Sequence, residues 1–123
     1  MKKRPKYLDL MKIRLPLPGF VSILHRASGL LLFLAIPFLL SGLQGSLQSA
    51  RGFESLTSFF SSPLAKLALL GICWAFFHHF CAGIRFLFLD IDKGVSLSAA
   101  RASSRMVLAA SLLLTLLAGV LIW

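Results

Sequence analysis

The stretch "SILHRASGLLLFLAIPFLL", residues 22–40, decides the fold because a polar cluster is followed at once by a long apolar run. Apolar residues continue to Leu43, which gives about the 20 residues that a helix needs to cross the hydrocarbon core of a bilayer. Pro37 inside the run is tolerated in a membrane-spanning helix and is expected to bend it. Residues 20–43 are therefore predicted to form a transmembrane helix.

The composition also indicates a membrane protein. Of the 123 residues, 58% are hydrophobic and only 14% are charged, and the mean hydropathy is +0.87. Lysine and arginine outnumber aspartate and glutamate by 13 to 4. Most of these cations stand outside the apolar runs and are not interleaved with aromatic residues, so they indicate membrane topology, and no nucleic-acid partner is expected.

Two further segments are predicted to span the membrane, residues 63–89 and residues 106–123. Ser62 followed by Pro63 is a good helix start, since serine caps the helix and proline needs no N–H donor at its first position. Lys66 can extend to the membrane surface, and Trp123 suits an interfacial position. The predicted fold is an all-α membrane protein with three transmembrane helices that form part of a heteromeric helical bundle, because three helices leave most of their surface to lipid or other subunits.

The charges between the spans predict their orientation. Residues 44–62 carry one cation and one anion, whereas the two other segments are basic. The cations of residues 1–19 and 90–105 are Lys2, Lys3, Arg4, Lys6, Lys12, Arg14, Lys93, Arg101 and Arg105. The positive-inside rule therefore places residues 1–19 and 90–105 in the cytoplasm, and residues 44–62, which are expected to include a short interfacial helix, outside.

Ser22, His25, Arg26 and Gly29 are spaced by three and four residues, which places them on one face near the start of the first span. Arg26 could extend to lipid phosphates. Ionisable groups inside a membrane more often face a partner, a cofactor or a cavity, however, and the cluster favours that interpretation.

The second span carries two adjacent histidines, which point about 100° apart on a helix. His79 follows Gly71 and Ala75 and precedes Gly83 in steps of four, so it lies in a groove of small residues that another helix or a flat macrocycle could approach. His78 lies on a bulkier face. A neutral His79 could bind a metal ion or donate a hydrogen bond to a neighbouring helix.

His25 and His79 are not expected to bind one iron, because their predicted depths differ by roughly 7–8 Å at about 1.5 Å per residue. If His79 binds an iron, the second axial ligand of that iron would then come from another chain. Cys73 and Cys81, in the second span, are interpreted as small hydrophobic residues rather than metal ligands.

These motifs resemble a known family. The sequence "RPKYLDLMKIRLPLPGFVSILHRASG", residues 4–29, is similar to the R-P-x-x-L-D-L and S-I-x-H-R-x-[ST]-G motifs of the cytochrome b membrane-anchor subunit of succinate dehydrogenase, the larger anchor of bacterial complex II. The sequence "HFCAGIRFLFLD", residues 79–90, resembles the H-x-x-x-G-x-R-H-x-x-x-D motif of that family, and "LLAGVLIW", residues 116–123, is also close. Phe86 departs from the pattern, which has histidine there.

The resemblance implies a role for each residue of the cluster. His79 would be an axial ligand of haem b, with the other axial histidine supplied by a second membrane-anchor subunit. Ser22 and Arg26 would border the quinone site near the iron–sulfur subunit, and His25 and Arg26 would contact the haem propionates. The chain would itself catalyse no succinate oxidation, which belongs to the flavoprotein subunit. The location implied is the bacterial inner membrane, with the N-terminus in the cytoplasm.

Three alternatives remain at this point. The chain could be the anchor of a fumarate reductase, which works in the quinol-oxidising direction. It could also be a haem-free membrane interaction subunit whose polar residues only join helices. A small transporter subunit is disfavoured, because all four acidic residues lie outside the predicted spans.

Overall fold

The computed structural model describes residues 15–123, which form four helices. They are α1 (Leu17–Gln48), α2 (Ala50–Ser61), α3 (Pro63–Asp90) and α4 (Leu97–Ile122). The part of the sequence described contains no strand, and α1, α3 and α4 are each long and apolar enough to cross a membrane. The predicted all-α membrane fold with three spanning helices is confirmed. The expectations for residues 1–14, including the "RPKYLDL" motif, lie outside the described residues.

The three long helices run alternately up and down, because the contacts join the early part of each helix to the late part of the next. α3 packs against both α1 and α4. Small side chains allow this close packing: Val21, Ala82 and Val107 form the apolar centre, and Ser104 and Ser111 of α4 are fully buried beside it. Large apolar side chains point outward instead. Such an outer surface suits hydrocarbon or other subunits rather than water.

The helices begin where the local sequence favours a cap. The side chains of Ser49, Ser62 and Ser96 accept hydrogen bonds from the backbone N–H groups of the first turns of α2, α3 and α4. The predicted helix start at Ser62 and Pro63 is confirmed, because α3 begins at Pro63 and Ser62 Oγ accepts from the Ala65 N–H at 3.3 Å. Gly94, with a φ of 75°, lies in the turn between α3 and α4, where a residue without Cβ is favoured.

The helices extend beyond the predicted spans. α1 continues through Pro37 and past Leu43, and α4 begins at Leu97, before the predicted start at Met106. The short helix expected between the first two spans is α2, which lies against α1 and α3. Gly52 allows this close approach, since a Cβ there would clash with the carbonyl of Gly45. Where the bilayer begins and ends along each helix stays a prediction.

Polar contacts join α3 and α4 at both ends of the bundle. At one end Arg85, only 7% exposed, donates from Nε to Ser103 Oγ at 2.9 Å. At the other end Lys66 Nζ lies 5.6 Å from the ring centroid of Trp123, a cation–π contact. A contact of this kind contributes about 0.5–1 kcal/mol where it is exposed to solvent. Lys66 and Trp123, which were both predicted to lie near the membrane surface, are thus at the same end of the bundle.

Candidate functional site

The candidate site is the contact between α1 and α3 at His25 and His79. The two imidazole rings stack, with their centroids 4.2 Å apart and an angle of 8° between their planes. The two side chains thus meet although their positions on the helices differ. Gly29 faces His79 and Gly83 faces His25, so the two histidines lie about four residues, or roughly 6 Å, apart along the bundle. Two histidine side chains can span this distance, and the predicted depth difference of roughly 7–8 Å stays a prediction.

Hydrogen bonding fixes the tautomer of His79. Its Nδ1 lies 3.0 Å from the carbonyl oxygen of His25. A carbonyl oxygen only accepts, so this hydrogen bond requires the proton on Nδ1. In the neutral ring Nε2 then carries the free lone pair. Metal-binding histidines commonly have this arrangement, in which the second ring nitrogen donates to a backbone carbonyl.

A glycine of α1 makes room for the His79 ring, and a glycine of α3 faces the His25 ring. A Cβ added to Gly29 of α1 would lie 2.7 Å from Cε1 and 3.1 Å from Nδ1 of His79, and the first of these distances is shorter than Cβ atoms show to neighbouring residues. A Cβ on Gly83 of α3 would lie 3.7 Å from His25 Nε2. The predicted groove of small residues is thus present from His79 to Gly83, where α1 enters it. A Cβ at Gly71 would have no neighbour within 4 Å, so α1 does not reach that residue.

The adjacent His78 has a different environment. Its side chain is fully buried inside the chain, and its ring stacks on Trp74 with centroids 5.1 Å apart. Neither ring nitrogen has a hydrogen-bond partner among residues 15–123. His79 is only half-buried. The rotation of about 100° between neighbouring residues of a helix therefore separates an interior histidine from one that a group outside the chain can reach.

The predicted polar face of α1 is divided in the structure. His25 and Gly29 contact α3, whereas Arg26 is exposed and Ser22 is half-buried. The Phe86 ring, at the position where the resembled family has histidine, lies 5.1 Å from the His25 ring at an angle of 53°. An aromatic ring therefore borders His25 on α3.

The residues present fit a group that needs one histidine from this chain. No cluster of three or more histidine, cysteine, aspartate or glutamate side chains within residues 15–123 could hold a metal ion by itself. His79 instead offers one oriented lone pair beside a glycine. The two stacked rings cannot share one iron, because an iron lies near the plane of each imidazole that binds it, and these two planes are nearly parallel and separated.

Ser28 stands at the [ST] position of the motif S-I-x-H-R-x-[ST]-G, but it was given no role in the sequence analysis. It is 2% exposed and its Oγ lies 2.9 Å from the His25 carbonyl oxygen and 3.4 Å from His79 Nδ1. The signal that could have found it is its spacing, three residues after His25 and adjacent to Gly29, on the side of α1 that must face α3.

Fold and site together define a class of small helical membrane subunit that presents a histidine at a helix–helix contact. The chain belongs to the succinate dehydrogenase/fumarate reductase transmembrane subunit family, whose model matches residues 1–118. The succinate dehydrogenase cytochrome b556 subunit of Coxiella burnetii is 37% identical over 122 residues, which cover 98% of each chain.

Two other relatives are also named succinate dehydrogenase cytochrome b556 subunits. The protein of Rickettsia felis is 35% identical over 115 residues, covering 94% of this chain and 90% of its own. That of Paracoccus denitrificans is 32% identical over 114 residues, covering 93% and 88% respectively. The similarity therefore spans nearly the whole chain, as the motifs predict.

Proposed function

We propose that this chain is the cytochrome b membrane anchor of a succinate dehydrogenase, which shares a haem b with a second anchor subunit and forms part of the quinone-reduction site. The observation that carries the proposal is the orientation of His79, whose Nδ1 donates to the His25 carbonyl and leaves Nε2 for a metal ion. The names of the relatives, cytochrome b556 subunits, support haem b.

His79 Nε2 would bind the haem iron, and the second anchor subunit would supply another histidine ligand. When bound, the haem supplies one-electron transfer. His25 and Arg26 would contact its propionates, where the exposed cation of Arg26 matches their negative charge. His25 also orients His79 through its carbonyl and stacks on its ring.

Ser22 and Arg26 would form this chain's part of the quinone site. Both lie in the first part of α1, where a polar headgroup and an apolar tail can be accommodated together. The hydroxyl of Ser22 can donate to a quinone carbonyl, and the guanidinium of Arg26 stabilises negative charge that develops on a quinone oxygen during reduction. A membrane anchor of this kind would bind the iron–sulfur subunit, and through it the flavoprotein subunit, on the cytoplasmic side of the bacterial inner membrane.

Arg26→Ala is expected to lower the rate of quinone reduction by the purified complex about ten- to a hundredfold, since a hydrogen bond to a charged group contributes about 1.5–3 kcal/mol. Succinate oxidation measured with a soluble dye should stay normal. Arg101→Ala is the matched control, because Arg101 is an exposed arginine in the first part of α4. Equal quinone rates in the two variants would contradict the quinone-site assignment.

The haem is tested by co-expressing the chain with its partner subunits and recording the reduced-minus-oxidised optical spectrum of the purified complex. The proposal requires the spectrum of a low-spin b-type haem. Absence of that spectrum from a complex that still reduces quinone would instead favour a haem-free membrane interaction subunit.

A fumarate reductase anchor is the second candidate, because the family description includes both enzymes. The two differ in direction. A succinate dehydrogenase complex should reduce quinone with succinate faster than it reduces fumarate with quinol in the same membranes, and the reverse ratio would favour the second candidate.

A further inference from the structure

The hydroxyl of Ser28 lies between α1 and α3 and contacts both partners of the His79 hydrogen bond. Its Oγ–H donates to the His25 carbonyl at 2.9 Å. Its oxygen lies 3.4 Å from His79 Nδ1, and since that nitrogen carries the proton, Ser28 accepts the longer branch of a shared hydrogen bond. A hydroxyl has one donor and two acceptor positions, so it can fill both roles at once.

Other buried hydroxyls of the bundle differ from Ser28 in one respect. Ser104, Ser111 and Thr115 are buried on α4 and donate to carbonyls of their own helix. Such a bond satisfies the hydroxyl inside an apolar environment and needs no further explanation. Ser28 makes the same kind of bond to His25 and also contacts the histidine of the opposite helix.

We propose that Ser28 is a positioning residue for His79, which acts together with the His25 carbonyl. The two acceptors hold the imidazole with its proton on Nδ1 and limit its rotation, so that the Nε2 lone pair keeps one direction. This inference rests on the proposed function, in which Nε2 is the ligand of the haem iron.

Two acceptors restrain the His79 ring more than one does. Rotation of a histidine ring about its Cβ–Cγ bond is soft, with broad preferred angles. A single hydrogen bond to the carbonyl fixes the distance of Nδ1, and the stacked His25 ring limits the tilt of the His79 ring plane. The hydroxyl of Ser28 adds a second point of contact on the same nitrogen, while Gly29 leaves the ring in its place without a Cβ to displace it.

The same contacts affect the electron density of the ring. A histidine that donates strongly from Nδ1 is a more basic ligand through Nε2, which stabilises the oxidised iron. Loss of one acceptor weakens this donation. Removing the Ser28 hydroxyl is therefore expected to raise the midpoint potential of the haem and to shift the near-infrared charge-transfer band of the oxidised low-spin iron.

The experiment compares Ser28→Ala, Ser28→Thr and Ser111→Ala in the purified, haem-containing complex. Redox titration gives the midpoint potential, and magnetic circular dichroism gives the charge-transfer band. Ser28→Ala should raise the potential and shift the band. Ser28→Thr keeps a hydroxyl and should restore both to wild-type values. Ser111→Ala removes an equally buried hydroxyl with the same three-residue bond to its own helix, and should change neither.

Wild-type potential and band in Ser28→Ala would overturn the inference, as would an equal shift in Ser111→Ala. If Ser28→Ala assembles poorly, Ser28→Cys, which keeps the size but hydrogen-bonds weakly, is measured against Ser111→Cys with the same expectations. A haem that survives in His79→Ala would instead contradict the proposed function, so the two failures are distinguished.

Discussion

Replacing His79 by phenylalanine is expected to remove the low-spin haem spectrum of the complex, whereas replacing His78 by phenylalanine is expected to leave it intact. The two residues are neighbours on α3, and the substitution is the same. They differ in what the ring nitrogens can reach. His79 is half-buried with Nε2 free, and His78 is fully buried inside the chain.

The physical reason for the His78 result is that its nitrogens have no hydrogen-bond partner among residues 15–123. Phenylalanine has a similar ring, can still stack on Trp74, and removes polar atoms whose burial without a partner costs about 1–3 kcal/mol. His78→Phe should therefore assemble at least as well as the wild type. Thermal unfolding of the purified complex measures this, with the optical spectrum recorded on the same samples.

A haem spectrum lost in His78→Phe and kept in His79→Phe would exchange the roles of the two histidines and contradict the proposed site. If the haem spectrum is lost in both variants, the amount of assembled complex shows whether the loss comes from failed assembly. If both variants assemble normally, the haem needs both histidines, which contradicts the proposed site because adjacent residues of one regular helix point about 100° apart.

The fold was predictable from the sequence because its determinants are local. Apolar runs of sufficient length predict the three spanning helices, and Ser62 with Pro63 predicts the start of α3 from the chemistry of a cap alone. The extent of the helices was less predictable. α1 ends at Gln48 and α4 begins at Leu97, and the hydropathy of the sequence around these two residues does not mark a helix end. Hydropathy reports where a chain meets lipid rather than where helical hydrogen bonding stops.

The site was predictable in its residue types and less so in its geometry. The groove of small residues beside His79 was visible as a spacing of four. The stacking of His25 on His79 was not, because it depends on the relative placement of two helices. The burial of His78 depends on where α1 and α4 pack around α3, which one helix cannot specify. The spacing of Ser28 places it near His25 and Gly29, but its contact with His79 is visible only when both helices are in place.

Gly29→Ala is expected to displace His79 and strongly lower the haem content of the complex. In an exposed helix interior the change from glycine to alanine usually stabilises by about 0.5–1 kcal/mol, because glycine loses more conformational entropy on folding. Here the new Cβ would lie 2.7 Å from His79 Cε1, so the ring or the whole of α1 must move. Overpacking of this kind costs about 1–3 kcal/mol, which exceeds the gain and reverses its sign.

Two other glycines on α3 provide controls that separate this clash from the general effect of alanine. A Cβ at Gly71 would have no neighbour within 4 Å, so Gly71→Ala should keep the haem and raise the unfolding temperature slightly. A Cβ at Gly83 would make an ordinary contact of 3.7 Å with His25 Nε2, so Gly83→Ala should also keep the haem.

The measured quantity is the haem content per assembled complex. Gly71→Ala and Gly83→Ala are expected to have the haem content of the wild type, and Gly29→Ala is expected to have far less. This order follows from how close the added Cβ would lie to a histidine ring. It does not follow from helix propensity, which favours alanine at all three positions. Wild-type haem content in Gly29→Ala would mean that α1 does not pack on His79 at this residue. Reduced content in all three variants would mean that the bundle tolerates no added side chain, and the specific contact at Gly29 would lose its support.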